Sequence, residues 1–168
     1  MLMINLINKE PHTPITAARR LIGKKIIMSF SENKTDELWK NFMPRRNEIE
    51  NAFHDNLYSV QVYEPGFFDN FNPDKKFEKW AAIEVTHFNN IPDGMEKIEL
   101  PGGLYAVFPY RGKASEASDT FKYIFYEWFP KSEFMLDNRP HFEILSEKYK
   151  NEDLDSEEEI WIPVKQKM

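Results

Sequence analysis

The chain has 168 residues, 41% of them hydrophobic and 15% aromatic, enough for one core of ordinary size with rings left over for a site. Its 28 acidic and 22 basic residues give a net charge of −6, and its basic residues cluster only in short pairs (Arg19-Arg20, Lys24-Lys25, Arg45-Arg46), which argues against direct contact with nucleic acid. No cysteine is present, which excludes disulfides, thiolate metal sites and a cysteine nucleophile and suits a reducing cytoplasm.

Residues 1–14 read as an extended, polar lead-in with two prolines and without the charged start of a signal peptide. No run approaches the roughly 20 apolar residues that span a bilayer, so a cytoplasmic protein without membrane contact is expected. "RRLIGKKIIMSF" (19–30) reads as a strand whose Gly23 marks a bulge or a close backbone approach. "TDELWKNFMPRRNEIENAF" (35–53) has Leu38, Trp39, Phe42, Met43 and Ile49 at helical spacing, with Thr35 the candidate N-cap. Pro44 is expected to divide it into two pieces. "LYSVQVYEP" (57–65) alternates as a strand, "GFFDNFNPDK" (66–75) is turn-rich, and "FEKWAAIEVTHF" (77–88) is the next strand.

After a connector at 89–94 the order repeats. "LPGGLYAVFPYRG" (100–112) reads as turn, strand and turn. "ASEASDTFKYIFYEWFPKS" (114–132) is the clearest helix, with Ala117, Phe121, Ile124, Phe125 and Trp128 on one apolar stripe assigned to core, and Pro130 closes it. Strands "HFEILSEKY" (141–149) and "EEEIWIPVK" (157–165) flank an acidic loop, 150–156, which lacks the glycine and spacing of a calcium loop. Pairs such as Gly23/Gly103, Phe42/Phe125, Val62/Ile144 and Ile83/Ile162 recur at a nearly constant offset, which points to a duplicated βαββ unit with halves at about 17–88 and 95–166 within one domain.

Alternation splits each strand into two faces. Ala81, Ile83 and Val85; Ile160, Ile162 and Val164; Val60 and Val62; and Phe142 and Ile144 are the apolar sets, expected to pack under the two helices. The opposite faces mix Tyr63, Trp80, Trp161 and Tyr149 with Glu84, Glu143, Glu157 and Glu159. Rings and carboxylates on one face fit a cleft for an apolar, cationic guest, since each ring contributes roughly 0.5–2 kcal/mol to a cation. They fit equally a face whose rings cover the sheet or make a dimer contact.

"IELPGGLYAVFPYRG", a helix ending "YEWFPKS", then "RPHFEIL" and "EEEIWIPVK" together resemble the GyrI-like effector-binding domain, and "YSVQVYE" and "FEKWAAIEV" extend the resemblance over nearly the whole chain. That family includes ligand-binding domains of AraC- and MerR-type regulators and stand-alone gyrase-inhibitory proteins. The resemblance implies an α+β fold, a duplicated βαββ antiparallel sheet with two helices on one face and a ligand cleft on the other. It implies that Glu143 pairs with the cationic centre of hydrophobic or aromatic compounds, with Tyr63, Trp80, Tyr105, Tyr110 and Trp161 as aromatic walls; the alternation of strand faces adds Glu84 as a second candidate carboxylate. Where some members carry a tyrosine near the start of the last strand, this chain has Glu157 to Glu159. With no room in 168 residues for a helix-turn-helix domain, a free-standing binder that regulates or sequesters is expected.

Two alternatives accompany that reading. Some relatives hydrolyse cyclopropane-bearing compounds, and Glu143 or Glu84 could act as general base, its pKa raised by burial. A module acting on a protein partner such as gyrase is the other. A metal set from His141, Glu143 and His87 or His54 is weighed and set aside, "LPGGLY" is too short for a phosphate cradle, and no cofactor is expected.

Overall fold

The computed structural model describes residues 6–7, 10–113, 117–146 and 157–168. Tyr149, the acidic loop at 150–156 and the expected helix start at 114–116 lie outside the described residues. The strands are β1 (Ile15–Thr16), β2 (Arg19–Met28), β3 (Leu57–Val62), β4 (Phe77–Glu84), β5 (Glu96–Leu100), β6 (Gly103–Arg111), β7 (Phe134–Leu136), β8 (His141–Leu145) and β9 (Glu157–Gln166). They form one antiparallel sheet in the order β1-β6-β9-β8-β3-β4-β2-β5, with β7 beside β9. Helix α1 (Thr35–Phe42) follows β2, and α2 (Ala117–Tyr123) follows β6, so the chain is an α+β fold built on a βαββ unit used twice. The short strands β1, β5 and β7 fall almost wholly in stretches to which the sequence reading assigns no element.

The strand order is a palindrome about the β3–β8 pair, the seam that joins the halves through Leu57↔Leu145, Ser59↔Glu143 and Gln61↔His141. Across the next pairs Val60 faces Trp80 and Phe142 faces Trp161. Trp80 donates its indole N–H to Glu78 at 3.0 Å, and Trp161 donates its own to Glu159 at 3.2 Å. The same tryptophan, the same partner two residues back and the same sheet position in both halves mark the repeat.

Helix α1 begins at Thr35, which is not the cap: its N–H donates to Asn33 Oδ1, two residues earlier, at 2.9 Å. Asp36 and Glu37 open the helix and Lys40 closes it, in keeping with the helix dipole. Pro44 has no N–H to continue the ladder, and a 3₁₀ segment, Met43–Glu48, takes over. Beyond α2 the helix widens into a π-helical stretch, Ile124–Trp128, before a last α turn, Phe129–Lys131. Pro130 cannot donate to the carbonyl four residues back, a local cause for the widening. The Lys167 ammonium caps this end, donating to the carbonyls of Phe129 and Ser132 at 3.1 and 2.7 Å.

Both helices cover one side of the sheet. Leu38 and Phe42 of α1 pack on Ile22, Ala81, Ile83 and Val85. Ile124, Trp128 and Phe129 pack on Ala106, Phe108, Ile160 and Ile162. Among the described residues the other side has no helix, yet Tyr58, Val60, Trp80, Tyr105, Phe142 and Trp161 are buried there. The sheet curls strongly, as a half-barrel, and wraps those rings itself. Val60, Phe142 and Ile144, expected under the helices, belong to this curled side. Gly23 is a close backbone approach between β2 and β4: a Cβ there would collide with the Ala81 carbonyl oxygen.

Candidate functional site

The α1 core lies over β2 and β4, and the second helical segment lies over β6 and β9. Strands β3 and β8 in the middle are left beneath a gap. On these strands the helix-side positions alternate to Ser59, Gln61, His141 and Glu143, while β4 adds Lys79 opposite Gln61 and β9 adds Ile160 opposite Glu143. A cavity of about 930 Å³ opens above them. The cleft was expected on the helix-free face; the cavity is instead on the helix side, because pairing register turns Glu143 toward Ile160 and Ser59 rather than toward Trp161.

Polar groups lie at its floor. Glu143 accepts a hydrogen bond from Gln61 Nε2 at 3.0 Å, and the Lys79 ammonium stands 4.0 Å from the same carboxylate oxygen. Both charged side chains are only 12% exposed, so neither is solvated as a surface ion pair would be. Burial pushes the Glu143 carboxyl above its ordinary range, against the pull of Lys79 and Gln61. Burial pushes the Lys79 ammonium the other way, against Glu143 and Glu158. Glu158, two residues before Ile160 on the same face of β9, is raised to about 8 by burial and by Glu143. His141 is lowered by burial to about 3 and is therefore neutral.

The walls are aromatic. Phe121, Phe125 and Phe129 come from the second helical segment; Phe67, Phe68 and Phe71 come from the loop after β3, with Phe30 beside them. Phe68 stacks on Phe125 with ring centroids 5.6 Å apart, so a first-half loop meets a second-half helix across the cavity. Tyr63 lies among Phe67, Phe68, Phe77 and His141 at 4.7 to 5.0 Å, and burial, with Glu143 nearby, raises its phenol far above the usual value. Tyr126 and Phe71, 75% and 49% exposed, are at the open side.

Of the ligand-binding residues expected from the sequence, Glu143, Tyr63 and Trp161 line the cavity, although the Trp161 ring stacks on Phe142 in the curled core. The structure does not bring the others there. Trp80 and Tyr105 lie in the curled core, and Tyr110 is sealed under the helices with its hydroxyl donating to the Lys113 carbonyl. Glu84 accepts from the Tyr58 hydroxyl at 2.7 Å and pairs with His54 Nε2 at 3.0 Å on the helix-free side. His54, His87 and His141 stay apart: His87 accepts the N–H of Asn89 on a surface turn. Lys79, Gln61, Glu158 and the loop phenylalanines were missed. The parity of Lys79 with Ala81 and Ile83 was a signal for the lysine, and three phenylalanines within a Gly/Asn/Pro-rich loop were a signal for the wall. Phe121 and Phe125 were assigned wholly to core; they flank it and line the cavity as well.

A charged, hydrogen-bonding floor under aromatic walls is chemistry for holding an apolar molecule by one polar point. Known proteins carry the same architecture. The structure of SAV2435 bound to tetraphenylphosphonium superposes with a TM-score of 0.72 at 17% identity, over 93% of this chain and 94% of that one. The C-terminal domain of EcmrR gives 0.69 at 12% identity, over 94% and 98% of the two chains. The transcriptional regulator BrlR of Pseudomonas aeruginosa is 24% identical over 145 residues, covering 86% of this chain and 51% of BrlR, so the chain spans about half the length of that curated relative. No helix among the described residues is long and apolar enough to cross a membrane. A family model described as "integron-associated effector binding protein" matches residues 15–164, and the chain belongs to that GyrI-like family.

Proposed function

We propose that this chain binds hydrophobic, cationic aromatic compounds in the cavity between the second helical segment and the sheet, with Glu143 as counter-charge, in a regulatory or sequestering role. The observation that carries the reading is the burial of Glu143 on the floor of an aromatic-walled cavity. A carboxylate so placed contributes a charge-assisted contact of about 1.5–3 kcal/mol, and each wall ring in reach of a cation adds about 0.5–2 kcal/mol. The phosphonium compound bound by SAV2435, a lipophilic monocation, is of this class and supports the assignment. The hydrolytic alternative now rests on Glu143 alone, because Glu84 is engaged by Tyr58 and His54 on the other side of the sheet.

Calorimetric titration with tetraphenylphosphonium at fixed ionic strength tests the reading. Glu143→Gln is expected to weaken binding about 10- to 100-fold while the melting temperature holds or rises, since a buried carboxyl becomes a neutral isostere. Equal affinity in the variant would remove Glu143 from its role. Release of a product from an activated ester or strained ring, abolished by the same substitution, would turn the reading toward catalysis.

A further inference from the structure

Two carboxyl groups and one ammonium stand together at the edge of the cavity, Glu143 and Lys79 lining it and Glu158 beside them. Glu143 faces the cavity from β8; Glu158 is one diagonal step away on β9, on the same side of the sheet; and Lys79, from β4, stands 4.0 Å from Glu143 and within electrostatic reach of Glu158. Diagonal neighbours on one sheet face are about 7–8 Å apart at Cα, within reach of long side chains. When both carboxyls are ionised, Lys79 neutralises one, and among the described residues no second cation is paired with the other. We propose that a cationic guest fills that vacancy by exchange for a proton, with Glu158 as the group that gives the proton up. This rests on the binding reading above.

The exchange proceeds as follows. With the cavity empty, Lys79 pairs with Glu143 and the second negative charge is cancelled by a proton on Glu158. A guest cation settles against Glu143, Lys79 swings its attraction toward Glu158, and the Glu158 proton leaves to solvent. One cation enters and one proton departs, so the buried charge is unchanged. Without that exchange the floor would carry an extra positive charge in a poorly solvated place, which is strongly unfavourable. The raised carboxyl of Glu158 and the depressed ammonium of Lys79 agree with such a reserve.

Among the described residues, the other groups facing the floor do not supply this proton near neutral pH. From β8, His141 is already neutral. From β3, Ser59 and Gln61 do not titrate and the Tyr63 phenol is raised out of range; from β6, Tyr110 donates its hydroxyl to a backbone carbonyl. The remaining charged residues lining the cavity are Glu64, Asp69, Lys122, Asp137, Arg139 and Lys167.

Tetraphenylphosphonium has no titrating group, so its binding reports the protein's protons alone. Calorimetry of the full chain in buffers of different ionisation enthalpy is expected to show close to one proton released per guest at pH 7. Affinity should tighten nearly tenfold per pH unit between pH 6 and 7.5 and level off above about 8, where Glu158 has already ionised. In Glu158→Gln the proton release and the slope should disappear, with weaker binding at pH 7.5 and unchanged far-UV circular dichroism. Tight binding with a flat pH profile would overturn the exchange and leave the binding reading standing. A slope that survives in Glu158→Gln would also overturn it, moving the proton to Lys79. No binding at any pH would defeat the binding reading and this inference with it.

Discussion

The two sides of the sheet carry the same chemistry to different ends. On the helix-free side Arg19 lies over the Trp161 ring at 4.6 Å and beside Phe142 and Tyr58 at 5.6 and 5.9 Å, and it donates to the Tyr58 hydroxyl, which in turn donates to Glu84. Lys25 covers Trp80 at 5.7 Å, and Arg139 covers Tyr105 at 4.5 Å. Rings, carboxylate and cation are all present, and the chain itself provides the cation. On the helix side Lys79 likewise stands by Glu143, but there the rings stand back from the charges and enclose a cavity. Residue types therefore did not distinguish a site from a core; the unfilled volume did.

If that contrast is right, changes on the two sides should separate stability from binding. The largest effect is expected from Gly23→Ala, whose methyl has no room beside the Ala81 carbonyl; unfolding free energy should fall by about 3 kcal/mol or more, and denaturant titration reads it. Arg19→Leu should cost about 2–3 kcal/mol, because it removes a cation–ring contact and strands the Tyr58 and Glu84 groups that it organises. Affinity for tetraphenylphosphonium should stay within a factor of two in that variant, and a large loss would mean that the two sides are coupled. Phe125→Ala should do the reverse: stability down by about 1 kcal/mol, since the ring is only partly buried, and affinity down about 5- to 10-fold through the broken Phe68 stack. A Phe125 variant that binds normally would take the second helical segment out of the wall.

Much of this was legible in the chain. The two helices, the six principal strands and the βαββ repeat follow from spacing and alternation, as the paired tryptophans bear out. The Gly23/Gly103 and Ile83/Ile162 pairings kept the faces but slipped two residues in register, because alternation has period two and is blind to such a slip. The faces of the central strands were not legible for a related reason. Where both sides of a sheet are buried, Phe142 and Ile144 on one face look no more core-like than Ala81 and Ile83 on the other, and only strand pairing says which aligns with which. The cavity itself is a property of spacing between helices, which no single residue encodes.

The seam between the halves has one last consequence. With Trp80 matched to Trp161 and Val60 to Phe142, Gln61 of the first half and Glu143 of the second occupy equivalent places, and they hydrogen-bond to each other across the axis at 3.0 Å. A symmetric dimer of one βαββ unit would set the same side chain against itself at this point. Two glutamates there would repel, and two glutamines would leave the cavity without a charge. Covalent fusion breaks the equivalence: one copy keeps the anion and the other becomes the donor that orients it. A single asymmetric receptor is what a symmetric pair of these units could not have built.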